Sequence, residues 1–235
     1  QRIVHNEKLR KELNAVKKEA KEAARRIEIK IPQLKDCKFH KGDKKRGEET
    51  SVFLAEGASA AGPIVFARDP ETQAIFTLKG KPQNLFGKTR ASIYRNVELY
   101  NLMMALGIEE DVEHLRYNKV IIATDADVDG FHIRNLLMTF FLTYFEELVT
   151  SGHVYILETP LFRVRNKQQT IYCYDERERK SAEKKLKGNA EITRFKGLGE
   201  ISPKEFGQFI NGDIRLVKVS VSSLATVPET LGFYM

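Results

Sequence analysis

Residues 119–134 read Lys-Val-Ile-Ile-Ala-Thr-Asp-Ala-Asp-Val-Asp-Gly-Phe-His-Ile-Arg. The first six form a run of mostly apolar and β-branched residues without polar alternation, as expected of a strand covered on both faces in a parallel sheet. Asp125, Asp127 and Asp129 then follow at intervals of two, so an extended backbone would turn all three carboxylates to one side. At about 4 Å and an effective dielectric near 20, each like-charged pair repels by roughly 4 kcal/mol, which calls for a compensating cation. Hard oxygen ligands with open positions suit Mg²⁺, which keeps its waters and engages phosphates. The spacing imitates a calcium-binding EF-hand, but its twelfth position is Leu136, where such a loop needs a Glu.

Outward from this stretch, short apolar runs alternate with amphipathic segments. Strands are predicted over 51–55, 74–78, 119–124 and 153–157, and helices over 59–67, 92–106 and 131–149. That alternation is what a parallel sheet with crossover helices requires, so the fold class is α/β, Rossmann-like, with flanking helices. The apolar stretch 136–145 is too short to span a bilayer and reads as a buried helix. Beyond Pro160, runs at 161–165 and 170–174 read as a hairpin, followed by a charged helix over 175–187; together they form a C-terminal appendage. Upstream, Leu9, Leu13, Val16, Ala20, Ala23 and Ile27 recur at helical spacing over 6–27, and Pro32 stops the helix. The stretch 38–49, rich in Lys, Gly and acids, reads as a mobile loop or linker. The organisation is thus 1–50, a helix and basic linker; 51–160, the core; and 161–235, hairpin, helix and tail. With neither an initiator Met nor a signal-peptide core, the chain reads as a fragment of a longer protein.

The composition, 42% hydrophobic and 30% charged, is that of a soluble globular protein. A formal net charge of +7 favours an acidic partner, nucleic acid first, although a solvated basic surface would serve equally well. The acidic triplet decides between them, because a cation site beside basic residues suits phosphate chemistry. Cys37 and Cys173 are the only cysteines; they suggest neither a disulfide framework nor a zinc knuckle, since Cys37 and His40 have no second ligand pair behind them. A reducing cytoplasmic setting fits this usage, and nothing in the sequence implies a membrane.

Ligands of a parallel sheet gather at the carboxyl ends of its strands, and Glu56-Gly57 ends the first strand of the core. Glu56 is therefore placed to meet the aspartates. A strand-terminal Glu-Gly coupled to a later Asp-x-Asp resembles the toprim domain of topoisomerases, primases and related nucleases. Four strings narrow the resemblance: Glu56-Gly-Ala-Ser-Ala-Ala-Gly62, Leu78-Lys-Gly-Lys81, Thr124-Asp-Ala-Asp-Val-Asp-Gly-Phe-His-Ile-Arg134 and Arg194-Phe-Lys-Gly-Leu-Gly-Glu200. They stand in the order found in bacterial type IIA topoisomerase B subunits, and the likeness runs from about Ala24 to the end. The stretch Leu161-Phe-Arg-Val-Arg-Asn-Lys167 and the segment after Pro82 look more like the topoisomerase IV branch than the gyrase branch.

The resemblance implies that Glu56, Asp125 and Asp127 hold Mg²⁺, with Asp129 completing or positioning the catalytic acidic set. It implies a partner A subunit that supplies the nucleophilic tyrosine in an A2B2 heterotetramer acting on DNA. ATP would be used by an N-terminal domain absent here, residues 1–50 would lead in from a preceding transducer domain, and the fragment alone would be inactive. Lys79 and Lys81 around Gly80, His132 and Arg134 at the start of a helix, and Arg194 and Lys196 beside Gly197 and Gly199 are the candidate DNA contacts. The family usually reads Glu-Gly-Asp-Ser, whereas Ala58 stands here in place of that Asp, and Ala61 and Pro63 alter the Gly-Gly-Ser that commonly follows. Gly87-Lys88-Thr89 imitates a P-loop but has Pro82 where its first glycine belongs; the run from Gly197 to Ser202 lacks the third glycine of a dinucleotide fingerprint. A gyrase B subunit, a toprim nuclease or primase, and a DNA-binding module without catalysis are the alternatives.

Overall fold

The computed structural model describes residues 7, 9–18, 31–186, 190–212, 214–222 and 226–234. Its strands are β1 (Leu34–Lys35), β2 (Ser51–Glu56), β3 (Gln73–Leu78), β4 (Lys119–Ala123), β5 (Val154–Glu158), β6 (Phe162–Arg165), β7 (Thr170–Cys173), β8 (Glu191–Arg194) and β9 (Arg215–Lys218). Its labelled helices are α1 (Gly57–Ala67), α2 (Ala91–Arg95), α3 (Val97–Leu106), α4 (Val128–Tyr144), α5 (Glu146–Thr150), α6 (Glu176–Lys185), α7 (Pro203–Asn211) and α8 (Val227–Tyr234). The main sheet has the order β1-β3-β2-β4-β5-β9. Its four central strands are parallel, and antiparallel β1 and β9 cover the two edges. The fold is α/β, as the pattern along the chain predicts.

Burial on both faces explains the uninterrupted apolar strands. Val52 and Leu54 of β2, with Val120 and Ile122 of β4, pack against α3 and α4 on one side. Phe53 and Ala55, with Ile121 and Ala123, pack against α1, α7 and the segment around Leu198 on the other. Period-two geometry thus sends alternate side chains into two separate cores, and β2 and β4 cannot slip by one residue without exchanging them.

The helix expected over 92–106 is two helices, because the Asn96 side chain accepts from the Leu99 N–H and caps α3 afresh. The helix expected over 131–149 starts earlier, capped by Asp127, and breaks at Phe145, whose ring is buried 5.1 Å from that of Phe140. The stretch read as a mobile loop, 38–49, is pinned: Lys41 N–H donates to the Arg116 carbonyl at 2.7 Å, and Arg46 bonds Glu49, Asp69 and Glu71. At the N-terminal helix, residue 7 and residues 9–18 are helical, and Leu13 and Val16 pack on the core; Ala20, Ala23 and Ile27 lie outside the described residues. No described helix is long and apolar enough to cross a membrane.

The hairpin β6–β7 is joined by β8 into a second, three-stranded antiparallel sheet. Arg163 of β6 and Tyr172 of β7 both donate to Glu205 at 2.8 Å, and Ser202 and Glu205 form a capping box at the start of α7. Burial alone would raise the Glu205 carboxyl, but hydrogen bonds from Ser202, Arg163 and Tyr172 overcome it and hold the group at about 2. A depressed folded pKa gives stability that is present above the ordinary value and lost as pH falls toward the folded one. Urea denaturation should therefore show stability falling from about pH 4.5 to about pH 2. Glu205→Gln should remove most of that slope and cost about 2 kcal/mol at neutral pH; an unaltered slope would show that the acid loss arises elsewhere.

Candidate metal centre

Glu56 is the last residue of β2 and the residue before α1, and Gly57 makes the turn with a positive φ of 70°. The Glu56 side chain does not cap the helix. Its Oε2 is buried and has no hydrogen-bond partner. A buried carboxylate oxygen without a donor is costly unless something else supplies positive charge. Burial pushes the Glu56 carboxyl up; the charges of Asp125 and Asp127 push it further, against the Asp125 backbone N–H.

Parallel pairing sets Ala55 opposite Ala123, so Glu56 and the residues after β4 reach the same sheet edge. The three aspartates do not continue that strand as an extended run. Asp127 is the N-cap of α4 and accepts the Gly130 N–H at 2.8 Å, which coils the chain at this point. A β-carbon on Gly130 would strike the Asp125 carbonyl, so this tight entry needs glycine. Asp129 consequently lies in the first helical turn with its side chain 63% exposed, paired to Lys81 Nζ at 2.7 Å. The hydrogen bond from Lys81 holds the Asp129 carboxyl below its ordinary range. Glu56, Asp125 and Asp127 share the small space; Asp129 stands at its rim.

Asp125 is held from a distant part of the chain. Its Oδ1 accepts the Leu198 N–H at 2.8 Å. Burial raises the Asp125 carboxyl, the Leu198 bond opposes this, and the charges of Asp127 and Glu200 add to the rise. An open cleft is lined by Ser59, Asp125, Asp127, Lys196, Gly197 and Glu200. Glu200 is a further nearby acid; in the sequence it closes the Arg194–Glu200 string with nothing in its spacing to mark a role at the site.

The candidate phosphate contacts are distributed unevenly. Lys79, Lys81 and His132 are exposed near the acidic edge, and Lys196 lines the cleft. Arg134 is half-buried instead, reaching Thr124 Oγ1 at 3.4 Å with its Nε buried and unpartnered. Arg194 is exposed and lies 6.0 Å from the Phe162 ring. Elsewhere, Asp36, Cys37 and His40 bring potential ligand atoms within 4.8 Å of one another. There the Arg116 guanidinium bonds both Asp36 and His40, and burial pushes the Cys37 thiol up to about 11.

Residues 51–159 match the family model for the Toprim domain. The whole chain is 62% identical to the B subunit of DNA topoisomerase 4 from Borreliella burgdorferi, covering 39% of that protein. The chain belongs to the toprim region of type IIA topoisomerase B subunits. Over 89% of its length this toprim chain is also 41% identical to the chloroplastic/mitochondrial DNA gyrase B subunit of Nicotiana benthamiana, covering 30% of it. The Plasmodium falciparum topoisomerase II DNA-binding, cleavage and re-ligation domain superposes with a TM-score of 0.68 at 27% identity, over 78% of this chain and 26% of that one. The chain thus spans between a quarter and two fifths of the lengths of these relatives.

The toprim site fits a divalent cation on its own chemistry: a buried carboxylate with one orphaned oxygen lies within electrostatic reach of two further carboxylates, all hard donors. Raised folded pKa values mean that the cation-free protein loses stability as pH rises from the ordinary carboxylate range through the folded values. Cation uptake strengthens over the same interval, since the ligands must be ionised. Glu56→Gln should therefore raise the melting temperature in chelator near neutral pH, by roughly 2–4 °C for each kcal/mol of repulsion relieved. The same change should abolish the stabilisation that Mg²⁺ gives the wild type; a variant that melts lower in chelator and still responds to Mg²⁺ would refute the arrangement.

Proposed function

We propose that this chain is the Mg²⁺-binding DNA cleavage and religation module of a bacterial type IIA topoisomerase, the topoisomerase IV B subunit, with residues 51–160 as its catalytic core. The observation that carries the reading is the unpartnered buried oxygen of Glu56 in a carboxylate that feels the charges of Asp125 and Asp127. The 62% identity to a topoisomerase 4 B subunit over the whole chain supports the choice of branch.

On this reading Glu56, Asp125 and Asp127 hold the ion, and Asp129 keeps Lys81 at the mouth of the site. When bound, Mg²⁺ supplies electrostatic stabilisation of charge on the scissile phosphate and the leaving 3′ oxygen. Lys79, Lys81, His132, Arg194 and Lys196 attract and orient the DNA backbone by charge, without reading sequence. Arg134 supports the site from beneath, at Thr124. The nucleophile is a tyrosine of the A subunit, with which this subunit forms a cytoplasmic A2B2 assembly, and ATP is used by a separate N-terminal domain. Ala58 leaves the first turn of α1 without the acidic residue that the family usually carries there, and it touches none of the proposed ligand roles.

Assembled with the A subunit and DNA, the wild type should give Mg²⁺-dependent double-strand cleavage, and Asp125→Ala should lower it by roughly 10²-fold or more. Undiminished cleavage by that variant would overturn the proposal. Nicking or priming by the isolated chain would point to a nuclease or primase instead. The gyrase branch, to which the Nicotiana relative belongs by name, is the alternative assignment of the complete enzyme. Ala58→Asp should leave cleavage intact in the same assay.

A further inference from the structure

Asp125 is tethered by a segment that the acidic motif itself does not contain. After β8, the chain crosses to the main sheet and turns sharply through residues 195–201, with a short 3-10 turn at Leu198–Glu200. Burial of Phe195, Leu198 and Ile201 in the core beside α1 and α7 anchors this turn. The Phe195 N–H donates to the Leu161 carbonyl at 2.9 Å, which ties its start to the second sheet.

Three features of the turn meet the site. The Leu198 N–H donates to Asp125 Oδ1 at 2.8 Å. A β-carbon on Gly197 would lie 2.6 Å from Asp125 Oδ2, closer than real β-carbons come, and one on Gly199 would lie 2.6 Å from Ser59 Oγ. Backbone without side chains is therefore what allows the approach on both sides of Leu198. Glu200 closes the turn on itself: its Oε2 accepts the Lys196 N–H at 2.9 Å, and its own N–H donates to the Gly197 carbonyl at 3.1 Å.

We propose that the 195–201 turn is the positioning element of the cation site, in which Glu200 locks the turn and the locked Leu198 N–H orients the Asp125 carboxylate. This deepens the reading of Glu56, Asp125 and Asp127 as cation ligands and rests on it. Groups that orient a ligand commonly change metal affinity 10- to 100-fold when removed. Glu200 is exposed, so replacing it leaves core packing intact. The second sheet thereby acquires a role at the site: through Phe195 and the turn, its position is read at Asp125.

The test uses the assembled enzyme with the A subunit and DNA, comparing wild type, Glu200→Ala, Glu200→Gln and Gly197→Ala, with Asp125→Ala as the reference for the site. Mn²⁺ binding is followed by electron paramagnetic resonance of the free ion, and the half-saturating Mg²⁺ for cleavage is measured alongside; melting in chelator checks folding. Glu200→Ala should weaken site-specific Mn²⁺ binding and raise the Mg²⁺ midpoint by about 10-fold with unchanged melting. Glu200→Gln keeps an acceptor for the Lys196 N–H and should stay near wild type, while Gly197→Ala should be at least as impaired as Glu200→Ala. Wild-type affinity in Glu200→Ala, or equal impairment of the Ala and Gln variants, would overturn the proposal. Failure of the underlying reading looks different: Asp125→Ala would then bind Mn²⁺ and cleave as the wild type does.

Discussion

The pairing of β2 with β4 sets the constraint on which the site depends. Because the two strands are parallel and neighbouring, with Ala55 level with Ala123, the carboxylate of Glu56 and those that follow β4 must emerge at one edge. Both strands are sealed on two faces by different cores, so neither can shift register to separate the charges. Repulsion is built in by packing, and burial of Glu56 raises its cost.

The fold relieves part of this repulsion by its own means and leaves the rest. Asp129 turns out with the first turn of α4 and meets Lys81, and Asp127 commits one oxygen to the Gly130 N–H. Asp125 accepts the Leu198 N–H. Glu56 Oε2 stays buried without a donor, so the deficit is concentrated where a cation can correct it. The two sheets are coupled at the same place, since the chain leaving β8 reaches Asp125 within a few residues and the Arg163–Glu205–Tyr172 cluster fastens the following helix to the small sheet.

Much of this is legible in residue order. The four central strands and the α/β class follow from apolar runs long enough to be buried on both faces, and the meeting of Glu56 with Asp125 and Asp127 at one sheet edge follows from their places at strand ends. The shape of the aspartate segment does not follow, because period-two spacing suits an extended chain, while Asp127 is also a good N-cap and Gly130 permits the tight entry. Helix capping wins. The break at Asn96 is an N-cap signal of the same kind. Ser202, Pro203 and Glu205 carry a clear helix start that hydrophobic periodicity alone does not reveal. β1 and β9 have little signal of their own: one is two residues long, and the other is mostly exposed and acquires its place by pairing with β5. The link from Leu198 to Asp125 spans 73 residues of sequence and runs through a backbone N–H, so no side-chain pattern announces it.

On the function proposed above, Glu56 and Asp125 share one divalent ion across two adjacent strands. The most direct measurement is anomalous diffraction from crystals of the DNA-bound assembly soaked in Mn²⁺. A difference peak is expected between the Glu56 and Asp125 carboxylates, with Asp127 at or next to it. Density there without an anomalous peak, or a Glu56 side chain turned away from Asp125 while Mn²⁺ occupies some other site, would contradict it.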